Sequence, residues 1–95
     1  MILIREEVTP NNQELENTVI QLVASTLGHK PRQFKPTTPL LASQIDFDSF
    51  ALMELVLRLE DTFGLTIPDE DLDPDVFYSV ETIAAYVRVR LAQKG

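Results

Sequence analysis

Few residues in this chain can do chemistry, and Ser49 is the most informative of them. Ser49 follows Asp48 and opens an apolar-periodic run, so its hydroxyl belongs at the first turn of a helix. A serine there commonly caps the helix. The same position favours a bound phosphate, because free backbone N–H groups and the helix dipole point at it. His29 is the single histidine, beside Gly28, and reads as a helix-terminal or loop residue. A triad of Ser49, His29 and Asp48 can be written, but Asp48 adjoins the serine and is poorly placed to orient a histidine serving it. The sequence holds no G-x-S-x-G elbow, and three glycines in all leave no phosphate-cradling loop. Independent catalysis is not expected. Asp69, Asp71 and Asp73 alternate like the start of a calcium loop, which needs Gly at its sixth position and Glu at its twelfth. Those positions hold Pro74 and Val80, and a frame starting at Asp71 holds Val76 and Thr82. No dedicated metal site is expected, although weak divalent binding to the cluster stays open. Cysteine is absent, so any thiol chemistry must use sulfur from elsewhere.

The elements that position these residues read as helices. Asn11 and Asn12 can cap a first helix after Pro10, with Leu15, Val19, Leu22, Val23 and Leu27 on one face and Gly28 as its stop. Residues 29–48 form a long connection with three prolines, which must be pinned to the core. Leu40, Leu41, Ile45 and Phe47 are the expected pins. A second helix is predicted from about Ser49 to Phe63, capped by Asp48 and ended by Gly64. Leu52, Leu55, Val56, Leu59 and Phe63 form its buried stripe, with Glu54, Arg58 and Asp61 off it. Ile67-Pro68 leads into an acidic segment expected to make one short helical turn, broken by Pro74. Ser79 caps a last helix with Val80, Ile83, Val87 and Leu91 inward, and Arg88, Arg90 and Lys94 near its C-terminus. The expected fold is all-α: three main helices, one short helix and a long first loop. Residues 1–9 read as an extension and residues 10–95 as the domain.

Ninety-five residues allow one domain with a modest core. Apolar residues make up 44% and charged residues 24%, which excludes a fibrous chain and argues against wholesale disorder. No apolar run approaches the ~18 residues of a membrane span. Arg5-Glu6-Glu7 cuts short the apolar start, so this segment is not expected to act as a secretory leader. Lack of cysteine fits a reducing compartment, and a cytoplasmic location is the expectation. Fifteen acids against eight bases give a net charge of −7. From Asp46 to Asp75 there are ten acids and one base, Arg58; the rest of the chain is net +2. Nucleic acid is excluded as a ligand, since binding it needs a basic face. Concentrated acid suggests basic protein partners steered by long-range fields, or else a solvated face that serves solubility.

Asp48-Ser49-Phe50 resembles the Asp-Ser-Leu motif of acyl carrier proteins. The likeness continues through Glu54-Leu55-Val56, Leu59-Glu60-Asp61, Phe63-Gly64 and Ile67-Pro68-Asp69-Glu70-Asp71, then the apolar spacing of Val80 to Leu91. It covers about residues 12–92. The resemblance implies a small helical bundle of acyl-carrier type. Ser49 would be the attachment site of 4′-phosphopantetheine, transferred from coenzyme A by a phosphopantetheinyl transferase with magnesium. The arm's thiol would carry an acyl group as a thioester. The protein would be a monomeric carrier and a substrate of other enzymes, not a catalyst. A loading ligase and downstream synthases or transferases with basic docking patches are the implied partners. Asp48, Phe50, Glu54, Glu60, Asp61, Ile67, Asp69 and Glu70 are the implied docking residues.

Several positions depart from the family pattern. Asp46 stands where glycine is usual, Phe47 directly precedes Asp48, and Phe50 replaces leucine. Ala51 stands where housekeeping fatty-acid carriers commonly have an acid, and Arg58 adds a positive charge mid-helix. These departures point away from bulk fatty acid synthesis, toward a dedicated carrier in a specialised fatty acid, polyketide or modified-lipid pathway. Aminoacyl, peptidyl and D-alanyl carriers share the fold and the serine. An unmodified helical interaction module is the alternative from another class.

Overall fold

The computed structural model describes residues 12–40 and 48–94, and the side chains of residues 13–40 and 48–93. Helix α1 spans Asn12–Leu27, α2 spans Ser49–Phe63 and α3 spans Val80–Lys94. Single 3-10 turns lie at Pro31–Gln33 and Asp69–Asp71. The expected short helix is therefore one 3-10 turn, and the turn at Pro31–Gln33 is an addition to the expected elements. The described residues form no strand, and none of their helices is long and apolar enough to cross a membrane. The cap at Asn11 and the pins Leu41, Ile45 and Phe47 lie outside the described residues.

Local sequence sets the helix ends. Gly28 and Gly64 take positive φ, 75° and 65°, where a Cβ would be strained. Each ends its helix with the amide of the next residue bonded five residues back, His29 N to Ala24 O at 2.8 Å and Leu65 N to Glu60 O at 3.2 Å. These bonds satisfy carbonyls the helix leaves unpaired. Helix α3 starts at buried Ser79, whose amide donates to Thr82 Oγ1 at 3.0 Å while Thr82 N donates to Ser79 Oγ at 3.4 Å. This reciprocal pairing is a capping box with threonine as the second partner.

One core joins the three helices. Leu15, Val19, Val23 and Ala24 of α1 meet Leu55, Val56 and Leu59 of α2 and Val80, Ile83, Ala84 and Val87 of α3. Leu22, Leu27, Leu52, Phe63 and Leu91 sit half-buried at its margin. The connection after α1 is pinned as its length requires. Leu40 is fully buried and its amide donates to Tyr78 O at 2.7 Å, while Glu81 N donates to Pro36 O at 2.9 Å. Phe34 is a further buried pin.

The segment between α2 and α3 is tied to both helices. Ile67 N donates to Glu60 Oε2 at 2.8 Å. Tyr86 Oη donates to Asp71 Oδ2 at 2.6 Å. Arg90 donates to Thr66 O at 2.7 Å and lies 3.9 Å from the Asp71 carboxylate. Burial, and secondarily the bond to Asp71, push the Tyr86 hydroxyl up to about 12, so it stays a protonated donor at neutral pH.

Candidate functional site

Asp48, not Ser49, caps α2. Its backbone is extended and its Oδ1 accepts from Ala51 N at 2.9 Å. Capping occupies one Asp48 oxygen and leaves Ser49 at the first helical position. Ser49 is exposed, and its hydroxyl forms no hydrogen bond with a described residue. No hydrogen bond joins Ser49, His29 and Asp48 side chains; His29 instead packs edge-on against Phe34 at 5.9 Å between ring centroids. Ser49 is thus a reachable group, hydrogen-bonded to no base among the described residues.

A cleft of about 170 Å³ opens beside Ser49. Leu52 forms one wall, and Leu72, Pro74 and Phe77 form the other, with Asp48 and Asp73 also lining it. That volume is about what a six-carbon ring requires. The far wall continues directly from Asp71, the residue held by Tyr86. The Ser49 hydroxyl is open to solvent, α2 begins under it, and the apolar cleft lies alongside.

The remaining expected site residues separate into distinct environments. Phe50, next to Ser49, is 78% exposed. Glu54 pairs with Arg58 at 3.0 Å, and Arg58 also donates to Ser25 Oγ of α1 at 2.9 Å. Asp61, Asp69 and Glu70 are exposed. Glu60 is turned onto Ile67 N, so it braces the loop as well as contributing charge. Ile67 departs from the expectation of a docking residue: it is 5% exposed and its apolar side chain packs in the core, while its amide donates to Glu60. Asp69, Asp71 and Asp73 do not converge. Asp69 faces solvent, Asp71 meets Tyr86, and Asp73 accepts from Asp75 N at 2.8 Å. The described residues contain no cluster of three or more metal-ligating side chains.

Sequence reasoning passed over two sets of residues. Met53 and Leu57 are exposed, 47% and 62%, and with Phe50 form an apolar ridge on α2. Their spacing from Phe50, three and seven residues, was a readable signal. Leu72, Pro74 and Phe77 carried no such signal, because they meet α2 only through the folding of the 64–79 segment.

Comparisons with known proteins agree with this geometry. Residues 17–89 match the model of the family described as "Phosphopantetheine attachment site". The chain is 27% identical over 78 residues to a meromycolate extension acyl carrier protein of Mycolicibacterium aurum, covering 82% of this chain and 77% of that one. It is 26% identical over 76 residues to the protein of the same name in Mycobacterium bovis, covering 80% of this chain and 64% of that relative's length. The fold matches the solution NMR structure of a holo acyl carrier protein from Nitrosomonas europaea with a TM-score of 0.72 and 24% identity, covering 84% of this chain and 98% of that one. An exposed serine at a helix start, in a bundle of this shape and within the matched span, leads to one assignment: the chain belongs to the phosphopantetheine-attachment family of acyl carrier proteins, carriers rather than enzymes, which bear a covalent 4′-phosphopantetheine arm.

Proposed function

We propose that Ser49 bears the 4′-phosphopantetheine arm and that the protein delivers acyl groups to enzymes of a specialised lipid or polyketide pathway. The observation that carries this reading is the Ser49 hydroxyl itself, exposed at the first position of α2 and inside the matched span. In the attachment step Ser49 Oγ forms a bond to the phosphorus of coenzyme A that carries the pantetheine. The pyrophosphate bridge breaks, adenosine 3′,5′-bisphosphate leaves, and the hydroxyl proton passes to the transferase. Once attached, the arm supplies a thiol that this cysteine-free chain lacks. The chain's own part is presentation: Asp48 holds the helix start, and the rigid core holds the serine outward. A tethered thioester then meets a docked enzyme at high effective concentration.

The similarity to meromycolate extension carriers supports an acyl cargo in lipid synthesis. One observation favours a second reading, an aminoacyl, peptidyl or D-alanyl carrier. Helix α2 holds three acids and one base, and Arg58 is paired with Glu54, so the acidity lies largely in the 69–75 segment rather than on the helix. The test is intact-protein mass after incubation with coenzyme A, magnesium and a broad-specificity phosphopantetheinyl transferase. A gain of one phosphopantetheinyl unit on the parent and none on Ser49→Ala supports the site. No gain on the parent, with a cognate transferase also tried, refutes it. Competition between acyl and aminoacyl loading of the product then separates the two cargo readings.

A further inference from the structure

We infer that the loop of residues 29–35, opposite in sign to the acidic part of the chain, is a docking surface for a partner protein that presents a cluster of carboxylates bordered by a base. That the partner is an enzyme served by the arm rests on the proposed carrier role; the contact itself needs no arm. Lys30, Arg32 and Lys35 are three of the chain's eight lysines and arginines, and no aspartate or glutamate occurs from Asn17 to Ile45. These three side chains and that of His29 are exposed. Lys30, Arg32 and Lys35 form no ion pair with a described carboxylate. Cations just past a helix C-terminus suit its dipole, which accounts for His29 and Lys30 after Gly28. Arg32 and Lys35 lie beyond a further turn, where that field has faded, so the fold itself has no use for their charge.

The loop's own bonds hold these cations in place. Lys30 N donates to Gln33 Oε1 at 2.8 Å and Lys35 N to Thr38 Oγ1 at 2.9 Å, while Phe34 is buried and meets the His29 ring. An ordered segment loses less freedom on binding than a mobile one. Two bonds then tie the chain beyond the loop to the start of α3: Glu81 N to Pro36 O at 2.9 Å and Leu40 N to Tyr78 O at 2.7 Å. Phe77, next to Tyr78, lines the cleft beside Ser49, and the exposed carboxylates Asp48 and Asp73 line it too. Exposed Asp75 lies between them in sequence, and Glu81 stands on the tie itself. A basic loop and an acidic rim are thus joined through one short segment. An anionic lipid surface presents a single sign, which that rim repels, and with Phe34 buried the loop offers a bilayer no aromatic anchor. A protein face can carry both signs. Such a contact also fixes how the carrier is turned on its partner, which attraction of one sign does not.

The experiment follows amide NMR shifts of the unmodified protein, titrated at low salt with a peptide that joins a glutamate block to a lysine block. The parent is expected to show shifts in residues 29–35 that disappear by about 0.3 M salt. The double substitution Arg32→Glu with Lys35→Glu is expected to remove those shifts and weaken binding at least about tenfold. Arg32→Gln with Lys35→Gln is expected to fall between the two, and it carries the test if the charge-reversed protein lacks the parent's helical spectrum. No shift in residues 29–35 of the parent, or equal binding by the substituted proteins, overturns the inference. Three other results overturn it by giving the loop a different occupant: the same shifts with inorganic phosphate assign simple anions; sedimentation with phosphatidylglycerol vesicles that the double substitution abolishes assigns a lipid surface; shifts in the loop on dilution of the protein alone assign a second copy. Mass after transferase treatment of the same proteins keeps the two readings apart. Modification of Ser49 without peptide binding overturns the docking surface alone, and peptide binding without modification overturns the attachment site alone.

Discussion

Removing one oxygen, in Tyr86→Phe, tests how the wall of the cleft is held. The tyrosine hydroxyl donates to Asp71 Oδ2 at 2.6 Å. Its ring stays in phenylalanine, so packing against α3's surroundings is retained. A hydrogen bond to a charged acceptor contributes about 1.5–3 kcal/mol. Asp71 is 30% exposed and Arg90 remains 3.9 Å away, so water and Arg90 offset part of the loss. We expect a destabilisation of about 1–2 kcal/mol, or a fall in Tm of roughly 5–15 °C for a domain of this size. The loss should concentrate locally. Amides of Asp71 and Leu72, bonded to Pro68 O and Asp69 O, should exchange faster with deuterium, while those of the α1 core should change only with global stability. A pH series adds a sign. The Tyr86 hydroxyl is raised from 10.0 to about 12 by burial first and by Asp71 second. A raised value means its stabilisation is complete below pH 10 and is lost as pH climbs through 12. The stability gap between parent and Tyr86→Phe should therefore be flat below pH 10 and shrink between pH 10 and pH 12. Equal melting of the two proteins, or a gap unchanged over that window, would refute the role given to this contact.

Other substitutions have distinct expected outcomes. Asp48→Ala removes the bond to Ala51 N and should cost about 1 kcal/mol, seen as a lower denaturant midpoint and as slower modification of Ser49. Ser49→Ala should be neutral or stabilising by up to about 0.5 kcal/mol, since the hydroxyl has no described partner and alanine is the better helix former; a substantially lower Tm would show that the hydroxyl supports the fold. Leu55→Ala, at a position with no exposure, should cost about 2–5 kcal/mol by urea unfolding, whereas the exposed Leu57→Ala should lie within about 0.5 kcal/mol of the parent.

Much of this protein was legible in its residue order, and the rest only in three dimensions. Asp48 as a cap, Gly28 and Gly64 as stops, and the stripe of Leu55, Val56 and Leu59 are local signals. A cap acts within one turn, a glycine acts on its own φ, and periodicity sets which face is apolar, so neighbouring residues suffice. The motif around Ser49 is equally local, since a helix start exposes its first residue whatever the rest of the chain does. Tertiary structure decided what those elements do together. Arg58 reaches Ser25, 33 residues away, and with Glu54 makes α2 less acidic on its ridge than its composition suggests. Tyr86 reaches Asp71, 15 residues away, and converts one acid of an apparent cluster into an anchor. Ile67 packs into the core while Glu60 binds its amide, and the cleft beside Ser49 exists only where Leu72, Pro74 and Phe77 return to α2. Such contacts depend on the angles at which helices pack and loops return. These are set by the whole core rather than by any window of sequence.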